Sequence, residues 1–341
     1  MTEYVGLDVS LEETSVCVLD GAGSPLWEGR VASEPEALVR ALRRHAPKAV
    51  KVGLETGPTS TWLWHELRAS GVPAICIDAR HASAALSMRL NKTDRNDAAG
   101  LAQLMRMGWY REVQVKQLPA HGDAALLASR ALLVRQRCEL ESQIRGLMKN
   151  FGLRPKAAKG KAFEQSVRAL AARHAMLKDV AAPLLAVWSG QCQQIAVLTR
   201  AVRERTQNSV ACRRLMTMPG VGPLTALAFS SAIDDPARFK HSASVGAYLG
   251  LTPRRYASGE TDRMGRISRC GDPLMRSYLF EAAHIMLSRI RQTNPLKSWG
   301  AELAKRAGFK KARVALARKM AVVLHRMWVD GTDFGAVKTT A

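Results

Sequence analysis

No stretch of this 341-residue chain approaches the ~20 consecutive apolar residues that a membrane-spanning helix needs. The first residues also lack the charged-then-apolar pattern of a secretory signal, so a soluble intracellular chain with no membrane partner is expected. The six cysteines (Cys17, Cys76, Cys138, Cys192, Cys212, Cys270) are scattered and form no C-x-x-C pair. That argues against a zinc knuckle or a disulfide framework. Cys17 and Cys76 sit inside apolar, strand-like runs, as buried thiols in a reducing compartment do. The eight histidines are equally dispersed, and none has H-x-x-x-H spacing. Acidic residues are in short supply: 29 Asp and Glu against 51 Lys and Arg, a net charge of +22.

That charge is divided unevenly. Residues 1–100 hold 11 basic and 13 acidic side chains, whereas the remainder holds 40 basic and 16 acidic. A near-neutral front and a strongly basic back point to a polyanion gripped by the back. An anionic membrane surface fits less well, because the basic residues are spread along the chain and do not form one amphipathic helix. With 47% hydrophobic residues the chain is globular, and its length leaves room for two or three domains.

In chain order, 3–9, 14–20 and 26–31 read as strands, the third after the turn signal Gly21-Ala22-Gly23-Ser24. A helix over 36–45, a strand over 49–55, a helix over 60–69, a strand over 74–78 and helical runs to about 107 follow. The order βββαβαβα predicts a mixed sheet with helices packed on it, and ligands of such sheets bind at the rim formed by strand ends.

Four acids stand out in this region. Asp8 and Glu55 interrupt Val/Leu strand runs, where an acid needs a partner. Asp94 and Asp97 lie three apart at the start of the apolar helical run 98–105. Like charges that close are costly unless a cation lies between them. The alternative for any one of them is a helix cap or a solvated surface acid, and Asp94 alone would make a good N-cap. The stretches Gly6-Leu7-Asp8, Val52-Gly53-Leu54-Glu55-Thr56-Gly57 and Asn91-Lys92-Thr93-Asp94-Arg95-Asn96-Asp97-Ala98 resemble the RuvC/RNase H-like domain of the DEDD insertion-sequence transposases. This family is called IS-one-ten, and its members are also described as bridge-RNA-guided recombinases. The resemblance implies that Asp8, Glu55, Asp94 and Asp97 hold Mg2+ (two ions, with Mn2+ as the substitute). Lys92 and Arg95, beside the acid pair, are read as phosphate contacts or charge-balancing neighbours.

Past a linker at 118–122, Leu126, Leu133, Leu140 and Leu147 recur every seven residues, although Arg130 and Arg137 occupy intervening positions. Leu184, Trp188, Gln191, Ile195, Leu198 and Val202 make a second, better stripe. Long helices of this kind either form a coiled-coil arm joining subunits or turn ordinary stripes to a core. Residues 152–161 between them read as a basic loop. The turn Pro219-Gly220-Val221-Gly222 looks like that of a helix-hairpin-helix. Both Gly220 and Gly222 are able to adopt positive φ there, with backbone N–H groups free for a phosphate.

Residues 250–260 concentrate Arg254, Arg255, Tyr256 and Ser258 on one loop, and Arg263, Arg266, Arg269 and Arg276 follow. The element Leu251-Thr252-Pro253-Arg254-Arg255-Tyr256-Ala257-Ser258-Gly259 resembles the C-terminal transposase domain of the same family, which carries a nucleophilic serine. That implies the role for Ser258; without the resemblance it would be a turn serine, and the arginines plain phosphate clamps. The last 40 or so residues, with Lys305, Arg306, Lys310, Lys311, Arg313, Arg318 and Lys319, read as basic amphipathic helices.

The expected fold is therefore an α/β RNase H-like (RuvC-like) domain with a mixed sheet over 1–117, a long helical coiled-coil middle over 123–206, a mainly α transposase domain over 210–329 with a helix-hairpin-helix-like turn, and a tail over 330–341. Carboxylates suit hard divalent ions, and two ions ~3.5–4 Å apart bracket the attacking and leaving oxygens at phosphorus. Asp8, on the first strand, is the bridging candidate. Strand rejoining needs bond energy to be kept, which a serine–phosphate ester would do. Neither a Ser-His-Asp nor a Ser-x-x-Lys pattern lies near Ser258. The resemblance further implies DNA (element ends and target) and an element-encoded RNA as partners, dimers or tetramers, and the nucleoid of a prokaryotic cytoplasm as location. Two alternatives stay open: a metal-dependent nuclease or junction resolvase with a structural serine, and a non-catalytic nucleic-acid scaffold.

Overall fold

Glu3–Val9 (β1), Glu13–Leu19 (β2) and Pro25–Ala32 (β3) form an antiparallel meander, and two further strands add to it in parallel. Ala49–Glu55 (β4) lies beside β1 and Ala74–Ile77 (β5) beside β4, giving the sheet order β3-β2-β1-β4-β5. A parallel neighbour needs a crossover, supplied by the helices Pro35–His45 (α1) and Ser60–Ala69 (α2). The mixed sheet with helices, and the order of its elements, agree with the sequence reading. In this computed structural model residues 2–87, 93–155 and 160–335 are described. The chain divides into two units, Met1–Leu118 and Pro119–Ala341.

The two faces of the sheet are covered differently, following the period-2 alternation of strands. Val5 and Leu7 of β1 and Val52 and Leu54 of β4 pack with Leu38, Leu42, Leu63 and Leu67 of α1 and α2. On the opposite face, after a short helix Ala79–Leu86 (α3), lies Asp94–Met107 (α4). Its Ala98 and Ala102 cluster with Cys17 and Leu19, and its Leu101 and Met105 with Ile77. Thr93 caps α4 by accepting a hydrogen bond from the Asn96 N–H at 3.2 Å, and Gly108 ends it in the left-handed conformation. Asp94 is thus not the N-cap that it might have been by sequence alone.

Glycine sets how closely α4 approaches. A Cβ on Gly6 would fall 2.1 Å from the Ala98 carbonyl oxygen and 2.4 Å from the Ala102 nitrogen, backbone on both sides. Gly6→Ala is therefore expected to push α4 off β1 and cost about 3 kcal/mol. Thermal unfolding should show it as a fall of roughly 10 °C in the N-terminal transition. Gly53→Ala should cost less, because its Cβ would meet only the flexible Met105 side chain.

The second unit opens with two long helices, Leu118–Lys149 (α5) and Ala175–Asn208 (α7), with Lys161–Ala171 (α6) between them. α5 and α7 run antiparallel. Arg205 bonds Asp123, Arg130 donates to Thr199 at 2.8 Å, and Trp188 donates to Glu141 at 2.9 Å, a single register along the pair. On α7 the predicted stripe holds in part: Trp188, Ile195 and Val202 are buried, while Leu184, Gln191 and Leu198 are half-buried. On α5 the seven-residue leucine stripe is only half-buried throughout, and the buried side chains are Ala120, Leu127, Ile144 and Met148. The reason is the packing of α6 and the first half of α7, which meet Ile144 and Met148 through Phe163, Val167 and Leu177.

The rest of this unit is a helical core. Val210–Leu215 (α8), Pro223–Ile233 (α9), Ala243–Tyr248 (α10), Pro273–Ser288 (α11), Pro295–Ala307 (α12) and Phe309–Asp330 (α13) bury Phe229, Leu279, Met286, Leu316 and Leu324. A two-stranded hairpin, Pro253–Ser258 (β6) with Thr261–Ile267 (β7), interrupts the helices.

Candidate functional site

In the first unit, the pairing of β1 with β4 ends at Leu7↔Leu54, so Asp8 and Glu55 each lie one residue beyond at neighbouring strand ends. Alternation gives them the side of the sheet shared by Gly6 and Gly53, which is the face α4 covers. Gln103 and Arg106 of α4 reach the carbonyls of Gly23 and Gly21 at the Tyr4 end of the meander, while Asp94 meets Arg30, whose strand partner Ser15 lies opposite Asp8, so α4 runs against the direction of β1 and its first turn lies toward the Asp8 end. Asp94 and Asp97 belong to that first turn. Asp8, Glu55 and Asp97 are half-buried, and Asp94 is exposed. A recess of about 630 Å³ opens at this rim, lined by Val9, Ser10, Glu13, Arg30, Pro58 and Asp94 among others.

Arg30 and Arg95 bring positive charge to this rim. Arg30 lies 3.8 Å from Asp94 and 3.8 Å from Glu13, all on exposed side chains. Arg95 donates to Glu28 at 2.6 Å, so within the protein it balances charge. Sequence reasoning missed Glu28 and Arg30. The signal was available in the pairing Cys17↔Glu28 and Ser15↔Arg30, which puts both on the α4 side of β3. Lys92 lies outside the described residues.

The donor set of four carboxylates suits a hard divalent cation. Among the described residues no three His, Cys, Asp or Glu side chains stand close enough to hold an ion, so these acids share a rim without forming a closed cage. An exposed pair such as Arg30–Asp94 contributes under about 1 kcal/mol, so turning Asp94 toward its fellow acids costs little.

In the second unit, Ser258 ends β6 opposite Thr261 of β7, with Gly259-Glu260 between them. Gly259 has φ +54° and Glu260 is not among the positive-φ residues, the pattern of a type II′ turn that closes a hairpin. The expected loop is therefore a strand pair: the turn falls where the sequence put it, but the residues before it are extended. Every side chain from Pro253 to Ser258 is exposed.

Arg255 makes a bidentate ion pair with Asp262, Nε to Oδ1 at 2.8 Å and Nη2 to Oδ2 at 2.7 Å. These hydrogen bonds hold the Asp262 carboxyl below its ordinary range and Arg255 above its own. Arg254 donates to the Ser268 carbonyl at 3.3 Å, and the Arg263 guanidinium stands 5.8 Å from the centroid of the Tyr256 ring, its cross-strand partner. Arg266 is exposed. Asp262 was missed because its role depends on the hairpin register.

Gly220 and Gly222 behave differently from expectation. Gly220 has φ +89°, and a Cβ there would fall 2.6 Å from the Ala282 carbonyl oxygen, so it serves close packing on α11. Gly222, the N-cap of α9, has φ −105° and needs no glycine-only conformation. The expectation of two positive-φ glycines is corrected: Pro223 at the first helical position already fixes the start of α9.

The mixed sheet with acids at its rim, joined in one chain to a basic helical unit, fits a protein that works on a polyanion, and comparison with known proteins makes the class that of a transposase. Residues 5–152 match the DEDD transposase model of IS110, described as "Transposase", and residues 212–297 match the model described as "Transposase IS116/IS110/IS902 family". The chain belongs to the IS110 family of insertion-sequence transposases. The transposase for insertion sequence element IS1111A of Coxiella burnetii is 28% identical over 332 residues, spanning 94% of this chain and 88% of that protein. The transposase for insertion sequence element IS1328 of Yersinia enterocolitica is 25% identical over 251 residues, spanning 72% and 75%. Among solved structures, RuvC of Thermus thermophilus aligns with 33% of this chain and 100% of its own at 14% identity, TM-score 0.26. No helix among the described residues is long and apolar enough to cross a membrane.

Proposed function

We propose that this transposase cuts and rejoins the ends of its element and a target through a serine-linked DNA intermediate. The Ser258 hydroxyl attacks a backbone phosphorus. The serine Oγ–P bond forms, the bond from phosphorus to one deoxyribose oxygen breaks, and the proton lost by the serine is balanced by one gained on the released strand hydroxyl. Attack by a hydroxyl of another strand on the phosphoserine reverses the step, so no further reactant is needed. Arg254 and Arg263, with Tyr256, would hold the flanking phosphates, while Arg255 braces the hairpin through Asp262. Gly220, Gly222, Arg266, Lys92 and Arg95 complete the nucleic-acid contacts proposed here.

Asp8, Glu55, Asp94 and Asp97 would hold Mg2+, in the favoured arrangement two ions, with Mn2+ as a substitute. Bound divalent ions supply Lewis-acid stabilisation of charge at phosphorus. The chain's own acids keep that rim free of bulk and orient the ligand, Asp8 most rigidly because it continues a central strand. An element-encoded RNA would choose the target by base pairing, against the large positive surplus of residues 101–341. Assembly into dimers or tetramers would use the long helical pair, where Leu132, Val187 and Val197 are exposed.

The observation that carries the reading is the exposed serine at the mouth of a tight hairpin that also carries Arg254, Arg255, Arg263, Arg266 and Tyr256. The test incubates the protein, Mg2+ and co-purified RNA with labelled element-end DNA, then separates the products under denaturing conditions. DNA attached to the peptide containing residue 258 is the expected result. Cut DNA with no adduct would sink the serine mechanism in favour of a metal-dependent nuclease.

A further inference from the structure

Behind the hairpin, within the second unit, lies a groove of about 1200 Å³ walled by β7, α12 and α13. Its floor is apolar: Leu251, Ile267, Val314, Ala315 and Val322, with the Trp299 ring at one side. Its rim carries Arg266, Arg269, Lys310, Lys311, Arg318 and Lys319, and no carboxylate lines it among the described residues. The α13 residues recur at helical spacing on one face, while Ala312, Leu316, Ala317, Met320 and Leu324 are buried in the core. Lys319 holds its ammonium 4.3 Å from the centroid of the Trp299 ring, which is 37% exposed.

Apolar floor, aromatic wall and an all-cationic rim together fit one chemistry: a planar apolar face tethered to a polyanion. We propose that this groove takes an unpaired stretch of DNA, with Trp299 stacking on an exposed base and the rim cations meeting its phosphates. The proposal rests on DNA being the transposase's substrate and does not require Ser258 to be the nucleophile. A duplex fits less well, because it keeps base faces in its own stack and would leave the floor against water. RNA fits less well too. The lining side chains offer no acceptor to a 2′-hydroxyl, which would be desolvated against aliphatic groups. An acidic lipid surface needs a convex amphipathic face, whereas this site is a recess between three elements.

The test uses the full chain and fluorescence anisotropy with one mixed sequence in three forms: a 12-nucleotide DNA strand, the matching duplex and the RNA strand. Trp299→Leu should weaken single-stranded DNA binding roughly 5- to 100-fold, the loss of one base–aromatic stack, and leave the duplex within about twofold. Trp299→Phe should restore most of the affinity, and doubles as the variant that reads out stacking if the leucine form unfolds. Lys310→Gln with Lys319→Gln should lower the slope of log K against log salt by about 1.4 for the single strand. Equal losses on strand and duplex, or no loss on either, overturn the proposal. Tighter RNA binding with the larger Trp299→Leu loss assigns the groove to RNA and overturns it as well. So does displacement of the DNA strand by phosphatidylglycerol vesicles from the wild type alone. The adduct assay reads the serine mechanism and the anisotropy of the Trp299 variants reads the groove, so a failed serine mechanism and a failed groove give different results.

Discussion

Ser258→Ala is expected to eliminate the protein–DNA adduct and to lower strand exchange by at least about 10³-fold, upwards of ~4 kcal/mol in barrier. The size follows from the role: without the attacking hydroxyl the covalent step is lost, and the cross-strand Thr261 hydroxyl sits on the other strand of the hairpin, at a different position. The fold should be indifferent. Ser258 is exposed at the end of β6, where substitutions usually stay within about 0.5 kcal/mol. Affinity for element-end DNA should remain within about twofold, because the arginines around the serine are untouched. Exchange assays and binding isotherms on the same preparation separate the two effects, and wild-type exchange by the alanine variant would end the serine proposal.

Asp8→Asn is the second large effect expected. It keeps shape and removes one negative charge from the strand end beside Glu55. DNA cutting at saturating Mg2+ should fall by about 10²-fold or more, and half-maximal Mg2+ should move upward. The fold should hold, since asparagine keeps the shape of the side chain at this half-buried strand end. Glu13→Gln is the matched control: it borders the same recess and pairs with Arg30, yet lies outside the proposed ligand set, so cutting should stay near wild type. Normal cutting by Asp8→Asn, with its Mg2+ dependence unchanged, would remove the first-strand acid from the chemistry.

The first unit was legible because its residues alternate as strands must. Val5, Leu7, Val52 and Leu54 announce one buried face, and the turn residues at 21–24 fix the meander. What stayed hidden was the seat of α4. Gly6 and Gly53 inside strands were the available sign of a close backbone approach, since a glycine there otherwise only weakens the strand. The hairpin escaped for a different reason. Arg254, Arg255, Ser258, Asp262 and Arg263 give no apolar alternation, as β6 and β7 face solvent and pair chiefly with each other. The leucine stripe of α5 misled because spacing alone does not tell which face meets a partner. Three-dimensional packing chose the neighbouring positions: α6 and the start of α7 cover Ile144 and Met148, and the C-terminal helical core takes Leu127. At the site, residue types were readable, but the counter-charges Arg30, Glu28 and Asp262 exist only through strand register.

The antiparallel helices α5 and α7 contain 32 and 34 residues, which at ~1.5 Å of rise per residue makes a rod close to 50 Å long. Because Asp123–Arg205, Arg130–Thr199 and Glu141–Trp188 lock one rail to the other at successive heights, the rod converts residue count into distance. Anything fastened at its two tips is held a fixed interval apart. Lengthening both rails by two helical turns would widen that interval by ~10 Å while keeping the same sides facing, whereas lengthening one alone would throw every clasp out of step.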